Sequence, residues 1–286
     1  MTENTDEHIL EAIGRCRVVI RNGEVIEVGE ARITSCPLTK KFAYPITALD
    51  KESVKANIEH RIKAWGMCTP RREVFDTREF VGFGASELLS FGLSAGMIDA
   101  VVLACDGAGT VIVTKSALVQ GIGGRMSGLV KTVPYGDVIR RIEENGGIVI
   151  DKVHAGLDQI AGVARAYEMG YKNVSVTVAI PAEAKKIRDC YPDVIIFGVH
   201  VTGLNHEEAE MLVSAADLVT SCASRTLREI AGKKALLQAG VAVPIFAITK
   251  KAKNLIIEKI RQSSEQVLFK TTRLPALLEQ QPEPLV

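Results

Sequence analysis

The residues of this sequence with the most distinctive chemistry are its cysteines, because thiolates bind soft metals and act as nucleophiles. No C-x-x-C pair occurs, which excludes the compact signatures of a zinc ribbon, a thioredoxin-type redox pair and a bacterial ferredoxin. A reducing cytosol also disfavours stable disulfides in a long chain. Any metal site must therefore collect its ligands from distant segments. The six cysteines are Cys16, Cys36, Cys68, Cys105, Cys190 and Cys222.

Four of these cysteines lie at predicted ends of helices or strands, beside glycine, proline or a helix start. Cys16 and Cys190 are instead predicted to pack as small apolar side chains. Four thiolates are the number that a 4Fe–4S or 2Fe–2S cluster needs, and equally the number for a structural zinc. The leading hypothesis is an iron–sulfur cluster, with 4Fe–4S as the favoured type, and the alternative is a zinc ion. The predicted metal ligands are Cys36, Cys68, Cys105 and Cys222.

Two glycine-rich segments form a second candidate site. One is the Asp-Gly-Ala-Gly turn that begins at Asp106, and the other is GIGGRMSG over residues 121–128. Glycine lets a backbone approach an anion closely, and an arginine guanidinium can give two hydrogen bonds to a carboxylate or phosphate. The second segment is not the dinucleotide fingerprint, because Met126 replaces its third glycine. The predicted cofactor-binding residues are Gly107, Gly109, Gly121, Gly123, Gly124 and Arg125.

The apolar run Ala100–Ala104 predicts a strand that is buried on both faces. The β-branched run 110–114 predicts an antiparallel partner, which places Cys105 at the tip of a hairpin. From residue 148 onward, predicted strands alternate with predicted helices, a pattern typical of a parallel sheet. Strands are predicted over 148–150, 174–179, 194–199, 218–221 and 243–248, and helices over 86–95, 157–169, 181–189, 207–215, 224–230 and 250–262.

The N-terminal part has a different pattern. Residues 16–34 alternate apolar and polar around Asn22-Gly23, the strongest short signal for a β-hairpin. A helix is predicted over 51–65 with Asp50 as its cap. The predicted fold class is therefore α/β, with a mainly parallel sheet, helices on both faces and an N-terminal antiparallel β-hairpin region. The predicted divisions are 1–82, a hairpin and helix region; 83–272, an α/β domain with the cysteine- and glycine-rich motif; and 273–286, a loose tail.

In an open α/β sheet, ligands bind beyond the carboxyl ends of the strands. The predicted strands place Cys105, His200 and Cys222 at that edge. An alternative to the cluster is therefore an enzyme that holds a phosphate-bearing small molecule on residues 121–128, with Cys105 or Cys222 as nucleophile and His200 or His154 as base. A third hypothesis is a non-catalytic assembly subunit whose cysteines only pack.

The overall composition is that of a soluble globular protein, with 47% hydrophobic and 24% charged residues in 286. A formal net charge of +1 argues against a surface dedicated to nucleic acid or to anionic membranes. The acidic N-terminus is not a secretory signal, and no apolar run is long enough to span a membrane. We expect a cytoplasmic protein, and the sequence leaves a homo-oligomer open.

Five motifs around the cysteines and glycines occur in order along the chain. They are Ser35-Cys36-Pro37, Gly66-Met67-Cys68-Thr69, Cys105-Asp106-Gly107-Ala108-Gly109-Thr110-Val111-Ile112, Val119-Gln120-Gly121-Ile122-Gly123-Gly124-Arg125 and Thr220-Ser221-Cys222-Ala223-Ser224. Together they resemble the methanogenesis marker protein 8 family, a family of unknown function. The resemblance runs from about residue 7 to about residue 262 and brings no catalytic residue with it. It implies an anaerobic cytoplasm rich in iron–sulfur chemistry, and service in redox steps or in the maturation of methyl-coenzyme M reductase or its nickel tetrapyrrole.

Overall fold

The computed structural model describes residues 6–36, 39, 45–126, 128–277 and 285–286. Pro37, of the motif around Cys36, and Ser127, of the glycine-rich segment 121–128, lie outside the described residues. The strands are β1 (Glu7–Glu11), β2 (Arg17–Arg21), β3 (Glu24–Val28), β4 (Ala100–Cys105), β5 (Gly109–Val113), β6 (Leu129–Lys131), β7 (Ile148–Val149), β8 (Val174–Val178), β9 (Ile195–Gly198), β10 (Leu218–Thr220), β11 (Leu237–Ala239) and β12 (Ile245–Ala247).

The helices cover the predicted positions and add two that the sequence did not indicate, α3 and α4. They are α1 (Lys51–Trp65), α2 (Ala85–Ser94), α3 (Ser116–Gly123), α4 (Gly136–Glu144), α5 (Gln159–Glu168), α6 (Pro181–Cys190), α7 (His206–Ala215), α8 (Arg225–Lys234) and α9 (Lys250–Gln262).

The N-terminal segment forms an antiparallel sheet with strand order β3-β2-β1-β6. Its β2–β3 hairpin confirms the prediction around Asn22 and Gly23, which adopt φ angles of 50° and 74°. Helix α1 packs on this sheet and begins as predicted, with the Asp50 side chain accepting a hydrogen bond from Ser53 N at 2.7 Å. Strand β6 comes from residues 129–131, so the sheet uses chain from both sides of the predicted 82/83 division, which stays a prediction.

The larger sheet is mixed, with strand order β11-β12-β10-β9-β8-β4-β5-β7. The three pairings among β4, β8, β9 and β10 are parallel, whereas the other four are antiparallel. The predicted mainly parallel sheet is therefore not confirmed, and the parallel part is limited to the centre. The reason at one side is the short turn between β4 and β5, which can only return the chain antiparallel.

Helices cover both faces of this sheet. Val101 and Leu103 of β4 pack with α2, α3, α4 and α9, and Ala100 and Val102 of the same strand pack with α5 to α8. The alternation follows from the two-residue period of a strand, and it makes the apolar run of β4 the centre of both cores. No helix in the described ranges is long and apolar enough to cross a membrane.

The predicted tail, 273–286, is described at its two ends only. Ala276 N donates to Gln238 Oε1 at 2.9 Å, and Val286 N donates to Ala223 O at 3.0 Å. Leu285 and Val286 also join a small apolar cluster with Cys36 and Ala223. Both described parts of the tail are thus attached to the α/β domain, and looseness of the residues between them stays a prediction.

Candidate functional site

Cys105 lies at the tip of the β4–β5 hairpin, as predicted, and its side chain is completely buried. Asp106 in this turn accepts hydrogen bonds from Cys68 N at 2.6 Å and from Arg72 Nε at 2.8 Å. Neither Arg72 nor Asp106 exposes any of its side chain. The aspartate therefore acts as a structural anchor that joins the hairpin to the segment after α1.

Arg72 extends this anchor to the glycine-rich segment. Its Nη1 donates to Gly121 O at 3.1 Å and its Nη2 to Ile122 O at 3.4 Å. These carbonyls belong to the last turn of α3, where backbone acceptors lack partners within the helix. The segment that the sequence analysis treated as a loop is in its first three residues a helix end, held by a buried arginine.

The glycines of both motifs are explained by close packing. A Cβ on Gly121 would lie 2.2 Å from Val74 O, and one on Gly109 would lie 2.4 Å from Ala155 O. Gly107 adopts a φ of 85° and faces the ring of Tyr135. No ligand is needed to account for these positions, and their predicted role in cofactor binding stays a prediction.

A chain of hydrogen bonds links the same turn to the N-terminal sheet through His8. Gly107 N donates to Thr132 Oγ1 at 2.8 Å, and that hydroxyl lies 2.8 Å from His8 Nδ1. His8 Nε2 lies 2.8 Å from the Tyr135 hydroxyl, which donates to Asp6 Oδ1 at 2.5 Å. With Tyr135 donating to Asp6, its oxygen must accept from Nε2–H, and Nδ1 then accepts from Thr132. Burial lowers the pKa of His8, which keeps the ring neutral in this arrangement.

The sequence analysis missed this network. His8 and Arg72 carry no local motif, and their partners lie 124 to 127 and 34 residues away along the chain. The one available signal was the spacing of His8 and Leu10. In a strand, residues two apart share a face, so His8 lies on the same inward face as Leu10.

Cys68 and Cys105 are neighbours beside the Arg72–Asp106 pair, and both are fully buried. Burial, with the nearby Asp106 carboxylate, raises the pKa of Cys105 to about 12 and raises the pKa of Cys68 well above its ordinary value. These residues are therefore neutral thiols in the folded chain. The predicted bases contact carboxylates instead, since His200 Nε2 lies 3.1 Å from Glu11 Oε1 and His154 Nδ1 lies 3.3 Å from Asp151 Oδ2.

Cys36 and Cys222 form a second pair, in which the two thiols are hydrogen-bonded to each other. Both residues are partly exposed. The structure thus brings the four predicted metal ligands together two by two. Among the described residues, no group of three or more His, Cys, Asp and Glu side chains is arranged to hold a metal ion. The four-cysteine site stays a prediction.

Arg125 is the residue of the glycine-rich segment that is best placed to meet an anion. Its Cζ lies 3.9 Å from the centroid of the Trp65 ring and 5.1 Å from that of Phe80, and its Nη2 is paired with Asp76. The side chain is only 5% exposed, yet its Nη1 has no hydrogen-bond partner within the described structure. A buried polar atom without a partner costs about 1–3 kcal/mol, so an acceptor at this nitrogen would be stabilising.

Two further features of this site favour a ligand. Arg61 Nη1 donates to Arg125 O at 3.1 Å, and burial together with repulsion between neighbouring guanidiniums lowers the pKa of Arg61 and Arg125 to about 10. An anion would relieve that repulsion. Gln120 is 98% buried, and its Nε2 donates to Glu87 at 3.2 Å, while its Oε1 also lacks a partner in the described part of the chain.

The comparisons with known proteins agree on one group of relatives. A family model with the description "Uncharacterized protein conserved in archaea (DUF2099)" matches residues 8–261. The chain is also similar to an uncharacterized protein of Methanocaldococcus jannaschii, with 42% identity over 284 residues that cover 98% of this chain and 100% of that protein. No solved structure matches.

Proposed function

We propose that this chain, which belongs to the family of uncharacterized proteins conserved in archaea (DUF2099), binds the phosphate group of a small molecule through Arg125. The observation that carries this proposal is the buried Nη1 of Arg125, a charged donor that has no acceptor among the described residues. Hydrogen bonds to charged groups contribute about 1.5–3 kcal/mol, more than neutral ones. A phosphate oxygen at this nitrogen would supply the missing partner.

The surroundings of Arg125 suit recognition of an anion. The indole of Trp65 fixes the plane of the guanidinium, and Asp76 holds its other terminal nitrogen, so little side-chain entropy is lost on binding. Phe80 lies over the same group and belongs to the irregular segment between Asp76 and α2. A ligand would therefore approach past this segment, and its phosphate would be shielded from water once bound.

Isothermal titration calorimetry with inorganic phosphate tests the proposal. Arg125→Lys keeps a positive charge but removes the second terminal nitrogen, and we expect about tenfold weaker binding or more. Arg78→Lys is the matched control, because Arg78 shares Asp76 with Arg125 but its side chain is 72% exposed. Equal phosphate affinity in the wild-type chain and Arg125→Lys would reject the proposal.

A thermal shift keeps the test valid if Arg125→Lys folds poorly. A ligand that binds only the folded state raises the midpoint of unfolding by an amount that grows with the ratio of its concentration to its Kd. Phosphate should therefore raise the midpoint of the wild-type chain more than chloride does at equal ionic strength. Identical midpoints in the two salts would count against a phosphate site.

Iron–sulfur binding by Cys36, Cys68, Cys105 and Cys222 is the second candidate, because Cys36 and Cys222 do meet. The described residues do not extend that pair to a third ligand, so no chemistry is derived through a cluster. The resemblance to the methanogenesis marker protein 8 family, with its link to methyl-coenzyme M reductase, belongs to this second proposal. Anaerobic purification followed by iron, sulfide and zinc analysis tests it, and a metal-free protein after reconstitution would reject it.

A further inference from the structure

The Cys36–Cys222 pair lies outside the phosphate site proposed above. Cys36 follows β3 and Cys222 follows β10, so the pair joins the N-terminal region to the carboxyl edge of the large sheet. Both residues are partly exposed, whereas Cys16, Cys68 and Cys105 are buried. Two thiols in contact and within reach of solvent form a dithiol that a small reagent can oxidise.

A buried arginine lies beside this dithiol. Arg228 is 1% exposed, and its guanidinium donates to Ser221 O at 3.0 Å, to Cys222 O and to Ala242 O at 3.2 Å. These bonds fix the loop that carries Cys222, and the charge interacts favourably with a thiolate at Cys222. Cys222 also lies just before α8, whose N-terminus favours negative charge.

The two thiols share one hydrogen bond, so they act as a unit. When two thiols are coupled in this way, one proton stays between them and the other is lost first. One thiol therefore attacks as the thiolate, and its neighbour, still protonated, resolves the mixed disulfide.

We infer that Cys36 and Cys222 form a thiol–disulfide exchange site that reduces a small-molecule disulfide and closes to an intramolecular disulfide. Stable disulfides are rare in a reducing cytosol, but transient catalytic or redox-sensing ones occur there. The inference is independent of phosphate binding. It needs only these two cysteines, whereas the cluster proposal needs all four.

The reaction balances in two steps. The thiolate of one cysteine of the pair attacks one sulfur of a disulfide RSSR, forming a mixed disulfide and releasing RS⁻. The thiol of the other cysteine then loses its proton to RS⁻, and its thiolate attacks the sulfur of the first cysteine and expels the second RS⁻. The Cys36–Cys222 bond forms and the R–S–S–R bond breaks, so two electrons pass from the protein thiols to the small disulfide.

Incubation of the full chain with hydroxyethyl disulfide, followed by intact-mass measurement and peptide mapping, tests the inference. The Cys190→Ser background is used, because Cys190 is exposed and would form an adduct of its own. We expect the loss of two thiols, a Cys36–Cys222 cross-link and no retained adduct. A stable adduct on either cysteine without the cross-link, a cross-link to another cysteine, or no loss of thiols would overturn it.

Single variants in the same background test whether the second thiol resolves the mixed disulfide. Each variant lacks one thiol of the pair, so Cys222→Ser should trap the mixed disulfide on Cys36, and Cys36→Ser should trap it on Cys222. Far-UV circular dichroism establishes that each variant is folded, and if one is not, the cross-link in the Cys190→Ser chain alone decides the question.

Discussion

Arg72 and Asp106 form a salt bridge, 2.8 Å from Nε to Oδ1, from which water is completely excluded. The same carboxylate accepts a hydrogen bond from Cys68 N, and the same guanidinium reaches the carbonyls at the end of α3. Three separate segments of chain therefore depend on one pair of charges. This arrangement makes the cysteine-rich turn a rigid support for the neighbouring site rather than a reactive centre.

Asp106→Asn should destabilise the fold strongly, because it leaves the Arg72 charge buried without its partner. Removing one member of a buried ion pair costs about 3–5 kcal/mol in the free energy of unfolding. Urea denaturation measures this loss. The matched control is Asp137→Asn, which removes an exposed pair with Arg140 at the same 2.8 Å distance and should cost about 1 kcal/mol or less. Similar small losses in both variants would show that the buried pair is not an anchor.

The neutral His8 predicts a dependence of stability on pH. Its pKa in the folded chain is below the ordinary value of 6.5, so below that pH the unfolded chain binds more protons than the folded one. The free energy of unfolding should therefore fall as the pH drops from 6.5 towards the folded pKa, and His8 should contribute no slope above 6.5. Urea denaturation at a series of pH values measures this slope.

His8→Gln is the variant that tests this dependence, and His206→Gln is its control, because the His206 side chain is 74% exposed. The slope near pH 6 should shrink in the first variant and persist in the second. The hydrogen bond to His200 lowers the pKa of Glu11 to about 2, so the free energy of unfolding should fall further between pH 4.5 and about 2. An unchanged slope near pH 6 in His8→Gln would contradict the buried neutral ring.

Gly121→Ala should destabilise the fold, because the added Cβ would lie 2.2 Å from Val74 O and the backbone would have to shift. Overpacking of this kind costs about 1–3 kcal/mol. Gly136→Ala is the comparison, since no atom of the described residues lies within 4 Å of its Cβ position at the start of α4, and it should be neutral or slightly stabilising. Thermal denaturation of both variants measures the difference, and equal stability would contradict the close approach.

In the folded chain, Cys68 and Cys105 should resist alkylation by iodoacetamide, because both are buried and their pKa values are raised. The reaction is run at pH 7.5, about one pH unit below the pKa of a free cysteine. Cys190 should react at the rate of an exposed thiol. Peptide mapping after timed quenching measures each rate, and denaturation in urea should abolish the difference. If Cys105 in the folded chain were alkylated as fast as Cys190, Cys105 would again be a candidate nucleophile.

The elements with strong local signals could be predicted from sequence. The cap at Asp50 fixed the start of α1, the Asn22-Gly23 turn fixed the β2–β3 hairpin, and α9 was predicted with its observed bounds. Each of these depends on residues within one or two turns of chain, where spacing and capping chemistry are informative.

Elements stabilised mainly by tertiary contacts could not be predicted. Helix α3 contains two glycines that lower its helix propensity, and its packing against α2 and the Val74 backbone overrides that preference. Arg72 lies in a charged run, where an exposed position is the natural expectation, yet its partner Asp106 is 34 residues away. No periodicity within a short window reveals a buried pair of that separation.

The sequence did identify Arg125, from its position beside flexible glycines, but not the reason that it is suited to an anion. That reason lies in Trp65, Phe80 and Asp76, which come from 45 to 60 positions earlier in the chain and orient the guanidinium. The structure adds the decisive detail, a terminal nitrogen that is buried and unpaired within the described residues.

The most direct measurement for the phosphate site is anomalous diffraction from crystals grown with selenate, a tetrahedral dianion that replaces phosphate. We expect a selenium peak within hydrogen-bond distance of Arg125 Nη1 in crystals of the wild-type chain, and no peak at that position in crystals of Arg125→Lys. A single ordered water as the partner of Nη1, with no selenium density beside it, would contradict the proposed phosphate site.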